Sequence, residues 1–154
     1  MITQKMKYAL KALLVLGDEA ARGQPEPLTI EEIARRSGTP KRFLEHILLE
    51  VRNAGVIASI RGRSGGYVMI RKPSEVSISE LLRTIDGPIA PHPCLSRRAY
   101  QRCEDCADEA ACRIRKVFAE LFWSYLVMID SLTLEDMLRS GVAADQLTGS
   151  AQEA

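Results

Sequence analysis

All four cysteines of this 154-residue chain lie within nineteen consecutive residues, and their spacing is the feature that most directly suggests chemistry. Cys94, Cys103, Cys106 and Cys112 follow the pattern C-x8-C-x2-C-x5-C. Four converging thiolates can hold a [2Fe–2S] or a [4Fe–4S] iron–sulfur cluster. They also satisfy structural zinc, although such zinc sites usually contain two C-x2-C pairs and only one is present. A redox switch between the Cys103 and Cys106 thiols is the third possibility.

Basic residues and one histidine surround these cysteines. Five arginines lie within or next to the loop, at Arg97, Arg98, Arg102, Arg113 and Arg115. Their positive charge is expected to offset the thiolates and lower the cysteine pKa values, which would favour metal binding. His92, two residues before Cys94, is a conceivable further ligand, although a loop histidine beside prolines is more often simply exposed.

The composition is that of an ordinary globular domain, with 46% hydrophobic and 27% charged residues. The densest apolar run, 121–129, is far shorter than the roughly 18 residues needed to span a membrane. The first residues lack the features of a signal peptide. We therefore predict a cytoplasmic protein without membrane contact, whose thiols stay reduced. No nucleotide-binding loop or nucleophile–base signature is present, so we predict that the chain is not an enzyme, and an iron–sulfur electron-transfer component is a weaker alternative.

A helix-turn-helix is predicted after a first helix over 3–21. Thr29 and Glu32 have the spacing of a capping box that starts a short helix, and Gly38 is suited to end it. Thr39 is then expected to cap the following helix, with Pro40 at its first position. Two helices joined by a tight turn that contains glycine form a DNA-binding motif in many proteins.

The second helix of this motif, 40–54, has one apolar and one polar face. Its inner stripe is Leu44, Ile47, Leu48 and Val51, and its outer face is Arg42, His46, Leu49 and Asn53. We predict that this is a recognition helix lying in the DNA major groove. Arg42 and His46 are expected to read base edges, and Thr39 and Lys41 to contact phosphates.

A β-hairpin is predicted over 56–70, with a glycine-rich turn between two apolar strands. Arg61, Gly62 and Arg63 stand at its tip, where glycine allows close approach and arginine can enter a narrow minor groove. Residues 1–88 contain 14 Lys and Arg against 10 Asp and Glu, and 51–74 contain no acid. This charge distribution favours a polyanionic partner, although a basic solvated surface is the plain alternative.

Two further helices are predicted on either side of the cysteine loop. Ser77 and Glu80 form a second capping-box pattern, and a long helix begins at Arg113. Its continuous apolar stripe is Ile114, Val117, Phe118, Leu121, Tyr125, Met128, Ile129 and Leu132, and Phe122, Trp123, Leu126 and Val127 make its second half apolar on nearly all sides. Because one small domain cannot cover such a helix, a partner chain is expected. A last short helix starts at Thr133, and 140–154 is predicted to be a disordered tail.

In this order, the elements make the chain resemble the Rrf-two (Rrf2) family of winged-helix transcription regulators. The resemblance spans about 1–139 and is carried by Phe43-Leu-Glu45, Asn53-Ala-Gly55 and above all Arg61-Gly-x-x-Gly-Gly-Tyr67. It implies a homodimer joined through the long helix and bound to a roughly palindromic operator. In cluster-binding members three loop cysteines ligate an iron–sulfur cluster, and Cys94, Cys106 and Cys112 match them.

The resemblance departs from the family at the fourth ligand of the cluster. The family's fourth ligand falls at Arg115 or at Lys7 of the partner, and neither side chain is a plausible ligand. Cys103 is an additional cysteine and is expected to replace it.

The predicted fold is mainly α with a small β-hairpin, a winged helix-turn-helix followed by a long dimerisation helix. Its units are the DNA-binding domain 1–88, the cluster-binding loop 89–112, the helices 113–139 and the tail. The predicted function is that of a sequence-specific repressor whose operator affinity depends on an iron–sulfur cluster that senses iron, redox state or nitric oxide. The alternative is a winged-helix regulator with structural zinc or a thiol/disulfide switch. The DNA-contacting residues are predicted to be Thr39, Lys41, Arg42, His46, Asn53, Arg61, Gly62 and Arg63, and the metal ligands Cys94, Cys103, Cys106 and Cys112.

Overall fold

The computed structural model of the protein describes residues 2–140, so the predicted tail lies outside the described residues except for Ser140. The elements are α1 (Gln4–Ala20), α2 (Ile30–Ser37), α3 (Lys41–Asn53), β1 (Ile57–Ile60), β2 (Gly66–Met69), α4 (Ile78–Ile85), α5 (Arg113–Ser131) and α6 (Leu134–Arg139), with short 3-10 turns at Pro73–Glu75 and Pro93–Leu95. The predicted fold class, mainly helical with one β-hairpin, is confirmed.

Helix α1 lies at the centre of the domain. The Thr3 hydroxyl caps it by accepting a hydrogen bond from the Met6 amide at 3.1 Å. Met6, Leu13 and Leu16 are at most 2% exposed, and the helix contacts α2, α3, α4 and α6. These contacts bury one face of every helix around α1, so this core is what fixes the position of the recognition helix.

The turn between α2 and α3 forms as predicted. The Thr29 hydroxyl accepts a hydrogen bond from the Glu32 amide at 3.2 Å, while the Glu32 carboxylate pairs with Arg35 rather than returning to the cap. Gly38 ends α2 with φ 61°, a left-handed conformation that favours glycine. The chain can therefore turn within three residues, and α3 then packs against α2.

The predicted capping role of Thr39 is wrong. Helix α3 begins at Lys41, with Pro40 in the cap position and no side-chain capping bond. Thr39 is 3% exposed, and its buried hydroxyl has no hydrogen-bond partner. Pro40 itself is extended, with ψ 130°, so the first helical residue is Lys41 and the cap position falls on Pro40, one residue later than predicted.

The second predicted capping box, at the start of α4, is also wrong. The Ser77 hydroxyl bonds to the Ser79 hydroxyl at 2.9 Å instead of capping the helix. The Glu80 carboxylate is held by both terminal nitrogens of Arg71, at 2.8 and 3.1 Å. A charge-assisted pair of this kind is stronger than the neutral capping bond that it replaces.

The predicted hairpin is present and is extended by a segment from before α2. Strands β1 and β2 pair antiparallel, with Ile57 opposite Met69. Leu28 adds a bridge to Tyr67 through two backbone hydrogen bonds of 3.0 and 2.8 Å. A side chain at Gly66 would place its Cβ 2.5 Å from the Leu28 backbone, so this contact requires glycine.

The C-terminal helices attach to the domain very differently. Leu134 of α6 is fully buried, and its amide bonds to the Val76 carbonyl at 2.9 Å, so α6 shares the core of residues 1–88. The predicted start of this helix is confirmed, because both halves of a capping box form between Thr133 and Asp136. In α5, by contrast, only Leu126 and Ile129 are buried.

The remaining apolar side of α5 is open in the single chain. We call this surface the apolar face of α5; it consists of Ile114, Val117, Phe118, Leu121 and Met128, which are 49–71% exposed. These residues recur at helical spacing and therefore form one continuous strip.

Candidate nucleic-acid interface and metal centre

The recognition helix α3 divides between core and solvent as the sequence predicts. Leu44, Ile47, Leu48 and Val51 are at most 1% exposed. Arg42, His46 and Asn53 are all exposed on the opposite side, together with the apolar Leu49. A buried stripe of this kind holds the helix rigidly while leaving polar side chains free to meet base edges.

The two residues predicted to contact phosphate differ in accessibility. The hydroxyl of Thr39 is buried, so it is the least accessible of the predicted DNA-contacting groups. Lys41 is half exposed and forms an ion pair with Glu31 on α2, and its hydrogen bond to that carboxylate raises the lysine pKa. Lys41 therefore stays charged, but a phosphate would have to compete with Glu31 for it.

The tip of the hairpin presents its charges to solvent. Arg61, Gly62 and Arg63 are all exposed, and Gly62 has φ 114°, which only glycine adopts readily. The Arg52 guanidinium donates a 3.5 Å hydrogen bond to the Ser59 hydroxyl and so links α3 to β1. The exposed polar face of α3 and the exposed basic loop therefore belong to elements that pack against each other, since α3 contacts β1.

All four cysteines line one open cavity of about 690 Å³ at the start of α5. Cys94 is buried on the 3-10 turn Pro93–Leu95, and Cys112 caps α5 by accepting a hydrogen bond from the Arg115 amide at 3.4 Å. Cys103 and Cys106 lie between them and are partly buried, with the Cys106 amide bonded to the Cys103 carbonyl. The predicted ligands are therefore brought to one place.

The tightest cluster in this cavity includes the histidine that the sequence left as a conceivable ligand. The donor atoms of His92, Cys94 and Cys103 all lie within 4.8 Å of one another. His92 Nδ1 is 3.7 Å from the Cys103 sulfur. The spacing His-Pro-Cys was the available signal, but the sequence could not indicate that the loop folds back to bring Cys103 beside it.

The expectation that arginines lower the thiol pKa values does not hold for Cys103. Partial burial and a hydrogen bond with Cys94 raise the pKa of the Cys103 thiol. The arginines make other contacts: Arg102 and Arg115 donate to main-chain carbonyls of the loop, and Arg97 stacks on Trp123 at 3.5 Å. The guanidinium groups of these three arginines therefore contact the loop backbone or the Trp123 ring and not a cysteine sulfur.

Together these features define a winged helix-turn-helix DNA-binding protein with a cluster of potential metal ligands. A family model described as "Rrf2: Iron-dependent Transcriptional regulator" matches residues 2–140. The chain belongs to the Rrf2 family of transcription regulators, as the resemblance in its sequence predicts. Within residues 2–140, no helix is long and apolar enough to cross a membrane.

Individual relatives agree with this assignment. An rrf2-like HTH-type regulator of Rhodobacter capsulatus is 77% identical over 147 residues, covering 96% of this chain and 98% of the relative. CymR of Bacillus subtilis is 31% identical and covers 88% of each chain. The solved structure of CymR, titled the global cysteine regulator of that organism, superposes with a TM-score of 0.73 at 28% identity, covering 92% of this chain and 98% of that one. These relatives are named as transcription regulators, so the prediction that the chain is not an enzyme is confirmed.

Proposed function

We propose that this protein is a dimeric, sequence-specific repressor whose operator affinity is controlled by an iron–sulfur cluster held in the cysteine cavity. The observation that carries the proposal is the convergence of Cys94, Cys103, Cys106 and Cys112 on one cavity at the start of α5. The cluster would sense iron supply, redox state or nitric oxide.

The residues in the cavity fit an iron–sulfur cluster. Thiolates are the standard ligands of such clusters, and four of them supply the full complement that a [2Fe–2S] or [4Fe–4S] core requires. The cavity is open on one side, which gives small oxidants or nitric oxide access to it. When bound, the cluster would supply a centre that gains or loses an electron, or falls apart, in response to the signal.

The DNA-binding mode proposed here follows from the exposed surfaces. Arg42 and His46 would read base edges from α3 in the major groove, while Arg61 and Arg63 would enter the flanking minor groove. Lys41 would contact phosphate, after release from Glu31. The contacts between α3 and β1, which include the hydrogen bond from Arg52 to Ser59, support the idea that helix and wing dock together.

The proposed homodimer rests on the apolar face of α5. Five large side chains on this face are roughly half to three-quarters exposed in the single chain. Contiguous apolar strips of this length are usually covered by a partner in soluble proteins. A second copy packed about a two-fold axis would cover the same residues on both chains and would present two recognition helices to a palindromic site.

The position of the cavity supports a coupling between it and DNA binding. The loop is attached to α5 through the Cys112 cap and through the Arg97 side chain stacked on Trp123. Any change in the loop would therefore act on the helix that is proposed to set the spacing of the two recognition helices. Couplings of this kind are typically about 1–3 kcal/mol, roughly a 5- to 150-fold change in affinity.

The second candidate is a winged-helix regulator with structural zinc or a thiol/disulfide switch. The compact group of His92, Cys94 and Cys103 favours it, because mixed nitrogen and sulfur ligands are common at zinc sites. The likeness to CymR also keeps a cysteine-based mechanism open, since CymR is described as a cysteine regulator.

The decisive experiment begins with protein purified without oxygen. Iron, zinc and acid-labile sulfide are measured together with the visible absorption spectrum. Stoichiometric iron and sulfide with a charge-transfer spectrum would support the leading proposal. Stoichiometric zinc without sulfide would replace it with the second candidate.

Operator binding is then measured by fluorescence anisotropy with a duplex selected from a random library. Cluster loss and those Cys→Ser variants that no longer retain the cluster should change the affinity of this duplex in the same direction. Arg42→Ala should cost about 1–3 kcal/mol and relax one operator position. Arg139→Ala, which removes an exposed charge on α6, is the matched control and should bind normally.

A further inference from the structure

His92 is exposed, and its imidazole lies beside the sulfur atoms of two of the cysteines. Its Nδ1 atom is 3.7 Å from the Cys103 sulfur, and the Cys94 sulfur completes a triangle whose atoms are all within 4.8 Å. The histidine and cysteine side chains are short, so none of them has to extend through solvent to make these contacts. The His92 nitrogen and the Cys103 sulfur are therefore close enough to bind the same metal ion, with the Cys94 sulfur beside them.

The spacing agrees with the chemistry of metal coordination. A zinc ion with bonds of about 2.3 Å to sulfur and 2.0–2.1 Å to imidazole nitrogen, at a tetrahedral angle, holds those two atoms roughly 3.6 Å apart. Tetrahedral iron has a similar requirement in iron–sulfur proteins. The observed 3.7 Å between His92 Nδ1 and the Cys103 sulfur is close to that separation.

Backbone hydrogen bonds hold His92 in this position. The Leu95 amide bonds to the His92 carbonyl at 2.9 Å and closes the tight turn that also presents Cys94. The Gln101 amide bonds to the Pro93 carbonyl at 3.2 Å, which returns the chain towards this turn just before Cys103. This arrangement is thus built by main-chain structure, as expected of an organised ligand site.

We infer that His92 is a ligand of the metal centre in the cysteine cavity, bound through Nδ1 beside Cys94 and Cys103. This inference rests on the metal site proposed above and assigns it a mixed nitrogen and sulfur donor set. Cys106 and Cys112 line the same cavity, so a centre with four protein ligands that include His92 leaves one of the four cysteines without a metal bond. Exchange of a thiolate for imidazole removes one negative charge and raises the reduction potential of an iron–sulfur centre.

The chain offers an unusually clean test because it contains two histidines, His46 and His92. Protein is prepared without oxygen, with natural-abundance or ¹⁵N-labelled histidine, and its reduced paramagnetic form is studied by pulsed electron paramagnetic resonance. We expect a strongly coupled histidine nitrogen that shifts with the label, disappears in His92→Ala and persists in His46→Ala.

The rate at which the protein loses iron gives a second readout. His92→Ala should speed iron loss to a chelator at least about tenfold, since removal of groups that merely support a ligand already weakens metal binding by 10–100-fold. His92→Cys should restore retention without restoring the nitrogen coupling. Rescue by a second ligand type distinguishes coordination from a structural role.

Several results would overturn the inference while leaving the proposed function intact. These are full iron and sulfide with no coupled histidine nitrogen, or wild-type iron retention in His92→Ala. If the protein instead contains zinc and no sulfide, the cluster proposal fails separately. Cobalt(II) substituted for that zinc then tests the same nitrogen by the same labelling, and absence of its coupling rejects His92.

Discussion

Replacing Leu121 with aspartate should separate the two subunits of the proposed dimer. Leu121 lies at the middle of the apolar face of α5 and is 63% exposed in the single chain. Helix α5 has 19 residues and is therefore about 28 Å long, so Leu121 is covered in any symmetric pairing of the two helices along this face.

The size of the effect follows from the area that the dimer would bury. Full burial of a leucine side chain is worth about 1.5–3 kcal/mol, so burial of the exposed part is worth about 1–2 kcal/mol in each subunit. A two-fold axis counts this loss twice, which gives about 2–4 kcal/mol or a dimer roughly 30- to 700-fold weaker. Desolvation of the new carboxylates would weaken the dimer further.

Sedimentation velocity over a concentration series measures this directly. Wild-type protein should remain dimeric at micromolar concentration, whereas the Leu121→Asp variant should shift towards monomer. Ile70→Asp is the matched control, because Ile70 is similarly exposed, at 58%, but lies beyond β2 and away from α5. A Leu121→Asp variant with the wild-type dissociation constant, or a wild-type chain that is monomeric, would refute the reasoning.

Three further variants test other parts of the structure. Gly66→Ala places a Cβ against the Leu28 backbone and should lower the free energy of unfolding by about 1–3 kcal/mol in urea titration, whereas Gly23→Ala, with open space around it, should not. A hydrogen bond from Arg36 on α2 lowers the pKa of Glu19 below its ordinary value of 4.5. This pair therefore stabilises the fold fully above that pH, and its contribution is lost as the pH falls through the lower pKa of the folded state. Glu19→Gln should therefore reduce the urea midpoint at neutral pH, with a difference from wild type that shrinks in acid; a difference independent of pH would contradict this. Arg61→Ala should weaken operator binding and lower its preference for a narrow minor groove, and unchanged anisotropy titrations would exclude the predicted wing contact.

The sequence predicted best those features that depend on periodicity. The inner stripe of α3 and the extent of α5 follow from apolar spacing alone, because burial of one helix face dominates the energy of such segments. The hairpin was predicted equally well, because its turn is marked by glycine, one of the few residues that readily form such a turn. Only the added bridge from Leu28 was missed, because that pairing is long-range.

Predictions of individual side-chain contacts were less accurate, because nearby groups compete for the same polar side chain. Ser77 and Glu80 have capping-box spacing, yet Arg71, nine residues before Glu80, binds its carboxylate more strongly than a backbone amide can. Thr39 has a good capping side chain but precedes proline and is buried. The pattern of a motif therefore does not show which partner a polar side chain will choose when a charged one is close.

For the cysteine loop, one feature could be predicted from the sequence and another could not. Its spacing pointed to four cysteines that the structure brings to one cavity. The conformation that places Cys103 beside His92 depends on backbone hydrogen bonds that the cysteine spacing does not show. The proposed coupling between the loop and the rest of the molecule would run through the contacts of α5. The end of the loop is the cap of α5, and α5 in turn is tied to α4 by the Arg83–Asp130 pair at 3.1 Å and by its buried residues. Because α4 packs directly on α3, a shift of α5 relative to α4 would reach the recognition helix through packed contacts, as the proposed function requires.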